Sequence, residues 1–503
     1  MSSIFNALST SLFICCCLPT NAQIHDNIWL FGDSGFDNTS VEFVDGEPKL
    51  RSFDTDADLV KSASSICDSS GHLVLFTDGC NIYDAQGEII DNGEMINPGD
   101  VWDDYCGVNS GYPQVLQSSM FLPWPDDSSQ FILFHKEVSL VAGVGVVTAP
   151  LFYTRINSVV GGGWEVTEKN VVLYDETPTI ESGQLTASKH ANGRDWWITN
   201  RLEGDGGFMV FLLTPNGVEG PFFQSEVWYS PPHEGEGGGE SEFSSNGLRY
   251  VYHRPKVGME VHDFDRETGL FTLTDTIPQF DFNEIVTFNG LGLSPSGRFA
   301  YISEYFQIFQ YDLEADNIAD SKTLIHTFLN PDSLFIEPHG MHFQLGPDCR
   351  LYNFMNSGRY IHRINEPDLP GLACGFEENA FELPFSAFRD QPQFPHFRLG
   401  PLGDEGSPCV ESPNATASVD GNGVGLKVYP NPSLGPIRLW LPAGEATATW
   451  RLYDLQGRPL HELTLLPGQN QRLDLAADLP AGTYFWQLSR EGKVVETGKL
   501  FRQ

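Results

Sequence analysis

The chain has 503 residues and a formal charge of −38, too long for one compact core, since single cores stop growing near roughly 250–300 residues unless the fold is a repeat or a closed barrel. The charge is uneven: residues 425–503 carry nine Lys and Arg against seven Asp and Glu, so that segment is about +2 and the first 424 residues hold −40. Such a field repels nucleic acid and anionic lipid, because phosphate binding depends on clustered Lys and Arg, and it implies a solvated acidic surface.

The first segment contains Leu8, Leu12, Phe13, Ile14, Cys15, Cys16, Cys17 and Leu18, followed by Pro19, Thr20, Asn21 and Ala22. This is the apolar core and small-residue exit of a signal peptide at 1–22, too short to anchor in a bilayer. No Lys or Arg precedes it. A lipoprotein anchor is the weaker alternative, because Phe13 and Ile14 before Cys15 are bulkier than such a cleavage box has. No later stretch is apolar for about 18 residues, so no transmembrane segment is expected in the mature protein. With the leader removed, Cys67, Cys80, Cys106, Cys349, Cys374 and Cys409 remain. An even count in an exported protein permits three disulfides, and the absence of any CxxC argues against a zinc site.

Residues 24–403 repeat one kind of turn ahead of aromatic and β-branched strands. Ser69-Ser70-Gly71 precedes Leu73-Val74-Leu75-Phe76, Asp127-Ser128-Ser129 precedes Phe131-Ile132-Leu133-Phe134, and Asn192-Gly193 precedes Trp196-Trp197-Ile198. Asn246-Gly247, Ser294-Pro295-Ser296-Gly297 and Gly346-Pro347-Asp348 then precede Tyr250-Val251-Tyr252, Phe299-Ala300-Tyr301-Ile302 and Leu351-Tyr352. Taking positions 71, 129, 193, 247, 297 and 349 as equivalent, the steps are 58, 64, 54, 50 and 52 residues, a period that fits a four-stranded propeller blade with variable loops. Strand-like segments are left at 28–31 with 41–43 and at 394–399. Pairing these two ends in one blade would close the ring without an exposed edge. The expected fold is therefore all-β, a seven-bladed β-propeller with six blades as the alternative and a β-helix or stacked sandwiches behind them.

Residues 404–424 turn polar and small, with Gly406, Ser407, Pro408, Ser412, Pro413, Asn414, Gly421 and Gly423, the composition of a linker. From 425 to 503 six or seven short strand patterns follow, among them Ile437-Arg438-Leu439-Trp440-Leu441 and Thr483-Tyr484-Phe485-Trp486-Gln487-Leu488. They predict a small Ig-like β-sandwich.

This last segment carries Val428-Tyr429-Pro430-Asn431-Pro432, then Tyr453-Asp454-Leu455-Gln456-Gly457, then Leu479-Pro480-Ala481-Gly482-Thr483-Tyr484, and ends with Gly498-Lys499-Leu500. In order and spacing these resemble the C-terminal sorting domain of type IX secretion cargo, the Por secretion family of Bacteroidetes-type bacteria. The resemblance implies a leader that reaches the periplasm and a sandwich read by the outer-membrane translocon. It also implies removal of that domain as the cargo is released or attached to surface lipopolysaccharide. Tyr429, Pro430, Asn431, Pro432, Asp454, Gly457, Gly482, Tyr484 and Lys499 are the positions that match. Residues 24–403 resemble, more loosely, the propeller-like regions attached to such domains.

Within the large domain, Glu337-Pro338-His339-Gly340-Met341-His342 sets two imidazoles three residues apart beside a carboxylate, at the start of an inner strand. Imidazole and carboxylate together suit a transition metal, although no helix aligns His339 with His342. The run 233–242 places Glu234, Glu236, Glu240 and Glu242 on a glycine-rich backbone, oxygen donors of the kind calcium takes. Asp54, Asp56 and Asp58 alternate like the start of a calcium loop, but Leu59 stands where the turn glycine belongs and Ser65 where the bidentate glutamate belongs. His190, Glu242 and His342 fall at similar offsets before their turns and are candidates to face an axial channel. No GxSxG, HExxH or phosphate-cradling glycine loop is present. Calcium is thus the one cofactor suggested. The leading function is a surface binding or adhesion propeller for extracellular protein or glycan. A secreted hydrolase or lyase working in the channel and a structural surface or gliding component are the alternatives.

Overall fold

Six of the repeated turns share one chemistry in the computed structural model. Each begins with a side-chain oxygen that accepts the backbone N–H two residues on: Asp68 from Ser70 at 2.8 Å, Asp127 from Ser129 at 2.9 Å, Asn192 from Arg194 at 2.9 Å, Asn246 from Leu248 at 3.0 Å, Ser296 from Arg298 at 3.2 Å and Asp348 from Arg350 at 3.2 Å. These Asx and Ser turns reverse the chain locally, and the left-handed Gly193, Gly247 and Gly297, at φ 73°, 69° and 72°, complete three of them. The structure describes residues 24–32, 38–59, 63–106, 111–112, 116–141, 145–204, 207–225, 239–254, 257–278, 289–304, 306–328, 340–388, 392–403, 426–429, 437–441, 446–454, 458–467, 470–473, 479–480, 482–490 and 493–502. By contact pattern the chain divides into two units, Met1–Asn365 with Phe376–Val410, and Glu366–Gly375 with Glu411–Gln503.

In the first unit the turns join the first and second strands of successive antiparallel sheets. Sheet one is β1 (Ile28–Phe31), β2 (Thr39–Val44) and β3 (Glu47–Ser52); sheet two is β4 (Ser64–Cys67), β5 (Leu73–Thr77) and β6 (Ile82–Asp84). Sheet three is β7 (Ser119–Pro123), β8 (Gln130–Val141), β9 (Gly145–Ser158) and β10 (Trp164–Tyr174); sheet four is β11 (Thr186–Lys189), β12 (Trp196–Arg201), β13 (Phe208–Thr214) and β14 (Gly217–Gln224). Sheet five is β15 (Glu240–Phe243), β16 (Arg249–Arg254), β17 (Gly258–Asp265) and β18 (Leu270–Pro278); sheet six is β19 (Asn289–Leu293), β20 (Phe299–Glu304), β21 (Gln307–Asp312) and β22 (Thr323–Thr327). Sheet seven is β23 (Gly340–Leu345), β24 (Leu351–Ile364) and β25 (Phe376–Phe388). Every sheet is a meander in chain order, which the short connections favour.

Burial runs from inside to outside. β11 and β12 are buried at every position because sheets cover both of their faces, whereas outermost β3 is exposed at all but one position. Apolar clusters fill the spaces between neighbouring sheets. Leu30, Leu59, Phe76 and Tyr83 lie between sheets one and two, Trp197, Phe208, Phe243 and Tyr250 between four and five, and Val251, Met259, Leu291 and Ile302 between five and six. Sheets one and seven also pack together. The Trp29 ring meets Phe43, Tyr352 and Phe354 at 4.8, 5.2 and 5.8 Å between centroids, all edge-on. The sheets thus follow one another in a propeller-like ring.

The ring is not closed by the strand pairing that the sequence suggested. Segment 394–399 forms no strand, and sheet one is built wholly from N-terminal residues. The cysteines also depart from three pairs. Cys80 and Cys106 are joined with their Cα atoms 5.7 Å apart, tying β5's exit to the short helix α1 (Asp100–Tyr105), and Cys349 is disulfide-bonded. Cys67 is a free, buried thiol on β4, and Cys409 lies outside the described residues.

In the second unit, β26 (Lys427–Tyr429), β27 (Ile437–Trp440) and β30 (Asn470–Leu473) form one antiparallel sheet. The other contains β28 (Ala448–Tyr453), β29 (Pro459–Leu465), β31 (Gly482–Arg490) and β32 (Lys493–Arg502). β28 alternates buried and half-buried, and its Trp450 and Leu452 share one apolar cluster with Ile437, Leu439, Trp486 and Leu488 from both sheets.

Trp29 is wholly buried among three aromatic partners. Trp29→Ala is expected to lower the unfolding free energy of the full chain by about 3–5 kcal/mol, as large-to-small core substitutions do. Guanidinium titration followed by fluorescence measures it, and a loss under about 1 kcal/mol would show that sheets one and seven do not depend on this contact.

Candidate axial site

Innermost strands in the ring carry backbone groups on their lateral edges that no neighbouring strand satisfies, and polar side chains do so instead. Gln117, just before β7, donates its amide to Ser241 O at 2.8 Å and accepts the N–H groups of Ser241 and Gln184 at 3.0 and 3.1 Å. On β15, Glu240 and Glu242 stand two residues apart and so on one face. Their Oε2 atoms accept the N–H groups of Leu291 and Leu293 on β19 at 2.9 and 2.8 Å. The carboxylates therefore bridge sheets five and six.

His342 on β23 joins this group. Its Nε2 donates to Pro392 O at 3.0 Å, which fixes that proton, and its Nδ1 lies 3.1 Å from Glu240 Oε2. His396 approaches from the other side, with Nε2 donating to Phe243 O at 2.8 Å and standing 3.8 Å from Glu242 Oε1. Two carboxylates and two imidazoles thus converge beside a cavity of about 30 Å³, lined by Gln117, Ser241, Glu242, His342, Gln344 and Phe394 among others, room for one or two waters. Burial pushes Glu242 well above its ordinary 4.5, the Leu293 N–H opposes this and the neighbouring Glu240 charge adds to it. Burial lowers His396, which its bond to the Phe243 carbonyl partly offsets.

Other expected site residues do not join this group. His190 lies in the turn at the far end of β11, where Nδ1 accepts Asn192 N–H at 3.0 Å and the ring lies 5.6 Å from Trp197. Asp54 and Asp56 are exposed in the coil after β3, with Asp58 partly covered. Among the described residues no group of three His, Cys, Asp or Glu is arranged to hold a metal ion. His339, Glu234 and Glu236 lie outside the described residues.

A second buried polar cluster is absent from the sequence reading. Between sheets four and five, Arg201 NH1 meets Glu260 Oε2 at 2.8 Å with both side chains 2% exposed, and the guanidinium lies over Tyr252 at 4.2 Å. His262 Nε2 shares that Glu260 oxygen at 2.9 Å, and Arg254 NH1 lies 3.4 Å from Glu181 Oε1. Lys136 donates to Glu181 O at 3.2 Å and also to Gly183 O; burial holds its amine well below 10.5, which the Glu181 charge opposes. These groups answer one another's charge and none opens to solvent, the pattern of a structural seam.

Of the sorting positions, Asp454 accepts both the N–H and the Nε–H of Arg458, at 2.9 and 2.7 Å. Tyr484 OH donates to Pro480 O at 2.7 Å. A Cβ added at Gly498 would collide with the Trp486 indole, which explains the glycine beside Lys499 on β32. Gly482 opens β31 and Tyr429 closes β26, whereas Pro430, Asn431, Pro432 and Gly457 lie outside the described residues.

Residues 427–502 match the family of secretion-system C-terminal sorting domains. They form a type IX sorting domain, and the chain is exported to the cell surface or the medium. No curated protein matches the chain in sequence. Among solved structures, a periplasmic gluconolactonase of Pseudomonas aeruginosa is similar at 14% identity and a TM-score of 0.40, over 72% of this chain and 96% of that one. A putative 6-phosphogluconolactonase of Bacteroides uniformis is similar at 12% identity and 0.39, over 72% and 97%. The β-propeller domain of Cps50 (Swd1) from Myceliophteria thermophila is similar at 12% and 0.35, over 65% and 92%.

The raised carboxyl of Glu242 makes a pH prediction. The folded state binds a proton more tightly than the unfolded chain, so its contribution to stability is present below pH 4.5 and is lost as pH rises towards the raised native value. Glu242→Gln keeps an acceptor for Leu293 and is expected to remove that loss, making the variant at least as stable as the parent at pH 7 and flattening its profile from pH 4 to 8. Urea titrations across that range check it; a variant destabilised equally at every pH would show that the carboxyl is not held neutral.

Proposed function

We infer that this protein is an exported seven-bladed β-propeller that works as a binding module for extracellular protein or glycan. The seven consecutive sheets are read as seven blades spanning about 24–403, followed by a linker at 404–424 and a small β-sandwich at 425–503 that serves export. The observation that carries the binding reading is the state of the axial site. Glu240 and Glu242 are engaged by the N–H groups of Leu291 and Leu293, and the small cavity beside them is lined in part by Gln393, Phe394 and Pro395. A hydrolase or lyase needs a base and a nucleophile or metal free to meet substrate, and here those groups are committed to the backbone. Exposed Phe222 and Phe223 on β14, with Val172 on β10, supply apolar surface on the outside.

The test presents the purified full chain to arrays of polysaccharides and extracellular proteins and assays release of sugar or ester products in parallel. Binding that survives Glu242→Gln and His342→Ala within about twofold, and falls about tenfold in a Phe222→Ala/Phe223→Ala variant, supports the reading. Product release abolished by Glu242→Gln overturns it in favour of channel catalysis.

Export gives a separate outcome. Gly498→Ala forces its Cβ into the buried Trp486 ring, an overpacking cost of about 1–3 kcal/mol. Immunoblots of medium, surface and periplasm are expected to show more of that variant retained in the periplasm, whereas an unchanged distribution would mean that the translocon tolerates the distorted sheet.

A further inference from the structure

We propose that residues 392–402 are an axial latch that holds the ring shut, replacing a closing blade shared between the chain ends. The segment touches strand ends that only the axis brings within common reach. Its beginning is fixed to sheet seven, where Pro392 O accepts His342 Nε2 at 3.0 Å and Phe394 N donates to Gln344 Oε1 at 2.9 Å. His396 then reaches sheet five through Phe243 O at 2.8 Å. Phe397, wholly buried, lies 5.7 Å from the Trp196 ring of sheet four and 5.2 Å from His25.

Arg398 ties the same segment to the start of sheet one. Its two terminal nitrogens grip both oxygens of Asp26 at 2.6 and 2.5 Å, two residues before β1, with the side chains 11% and 5% exposed. Breaking one side of a bidentate pair shielded from water leaves a buried charge uncompensated, which costs far more than losing a surface bridge. Beyond it, Arg266 donates to Gly400 O at 2.6 Å and Leu402 N–H to Ala191 O at 2.8 Å. The latch fits closely: a Cβ at Gly193 would collide with Pro401, and one at Gly247 would lie 2.7 Å from Leu399 Cδ2.

Both ends of the ring are thus fastened to one short segment that follows the last strand of sheet seven in the chain. Direct contact between sheets one and seven is an apolar cluster plus the partly exposed pair of Arg350 with Glu47 at 3.1 and 3.2 Å, and it leaves them without a shared backbone ladder. The latch adds hydrogen bonds and an ion pair across that seam, so opening at the seam requires its release. This stands apart from what the protein binds.

Hydrogen–deuterium exchange of the full chain at neutral pH tests it, comparing the parent with Arg398→Ala and with the charge-reversed pair Asp26→Arg/Arg398→Asp. Expected is a rise of about tenfold or more in exchange at 28–31 and 340–345 in Arg398→Ala, with 249–265 unchanged, and partial return toward parental rates in the reversed pair. Exchange that rises equally in all sheets, or that stays parental at both ends, overturns the latch. Failure of the single variant to fold, with no recovery in the reversed pair, also overturns it, because the segment would then be general core rather than a closure.

Discussion

The fold depends on satisfying backbone groups where the sheets meet the axis. A sheet in a ring has an inner strand with one edge that no strand pairs, and an unpaired buried N–H or carbonyl costs on the order of 1–3 kcal/mol. Here side chains fill the role of the missing strand. Gln117 serves sheets four and five, Glu240 and Glu242 join five to six, and Gln344 holds the chain that returns along the axis. The same requirement accounts for Glu240 and Glu242 near the axis, each of which accepts a backbone N–H from sheet six.

This arrangement also separates residue type from role. Glutamate and histidine gathered near a propeller axis look like chemistry, and their convergence at Glu240, Glu242, His342 and His396 is real. Yet each has an architectural partner at hydrogen-bond distance, Leu291 and Leu293 for the glutamates, Pro392 and Phe243 for the histidines. The charged seam of Arg201, Glu260 and His262 follows the same logic between sheets four and five, where burial is tolerated because every charge has an answer.

What the sequence makes legible is local. The turns at Asp68, Asn192 and Asn246 are readable because a side-chain oxygen, a glycine and a following apolar run act within five residues. The β-rich second unit was readable for the same reason, since its motifs are turn chemistry. Ring closure was not, because the pair that secures it joins Asp26 to Arg398 across 372 positions, and Pro-His-Phe-Arg looks as much like a strand as like a strap. His190 matches Glu242 and His342 in its distance from a turn, but it stands beyond the last residue of β11, inside the turn itself, where its ring meets Asn192 N–H and Trp197. Arg201 and Glu260 gave no signal, as neither sits in a motif and their encounter exists only once two sheets stack.

Cys67 belongs to the sheet that leads into Cys80, yet it takes no part in that bridge. Burial pushes its thiol far above the usual 9.0. Disulfide exchange proceeds through a thiolate that can reach a sulfur, so a thiol that is both neutral and inaccessible is chemically silent. Before sheet two forms, Cys67 can compete for either bridge cysteine in an oxidising compartment. After it forms, the competitor is withdrawn, and the Cys80–Cys106 bridge is out of reach of the Cys67 thiol.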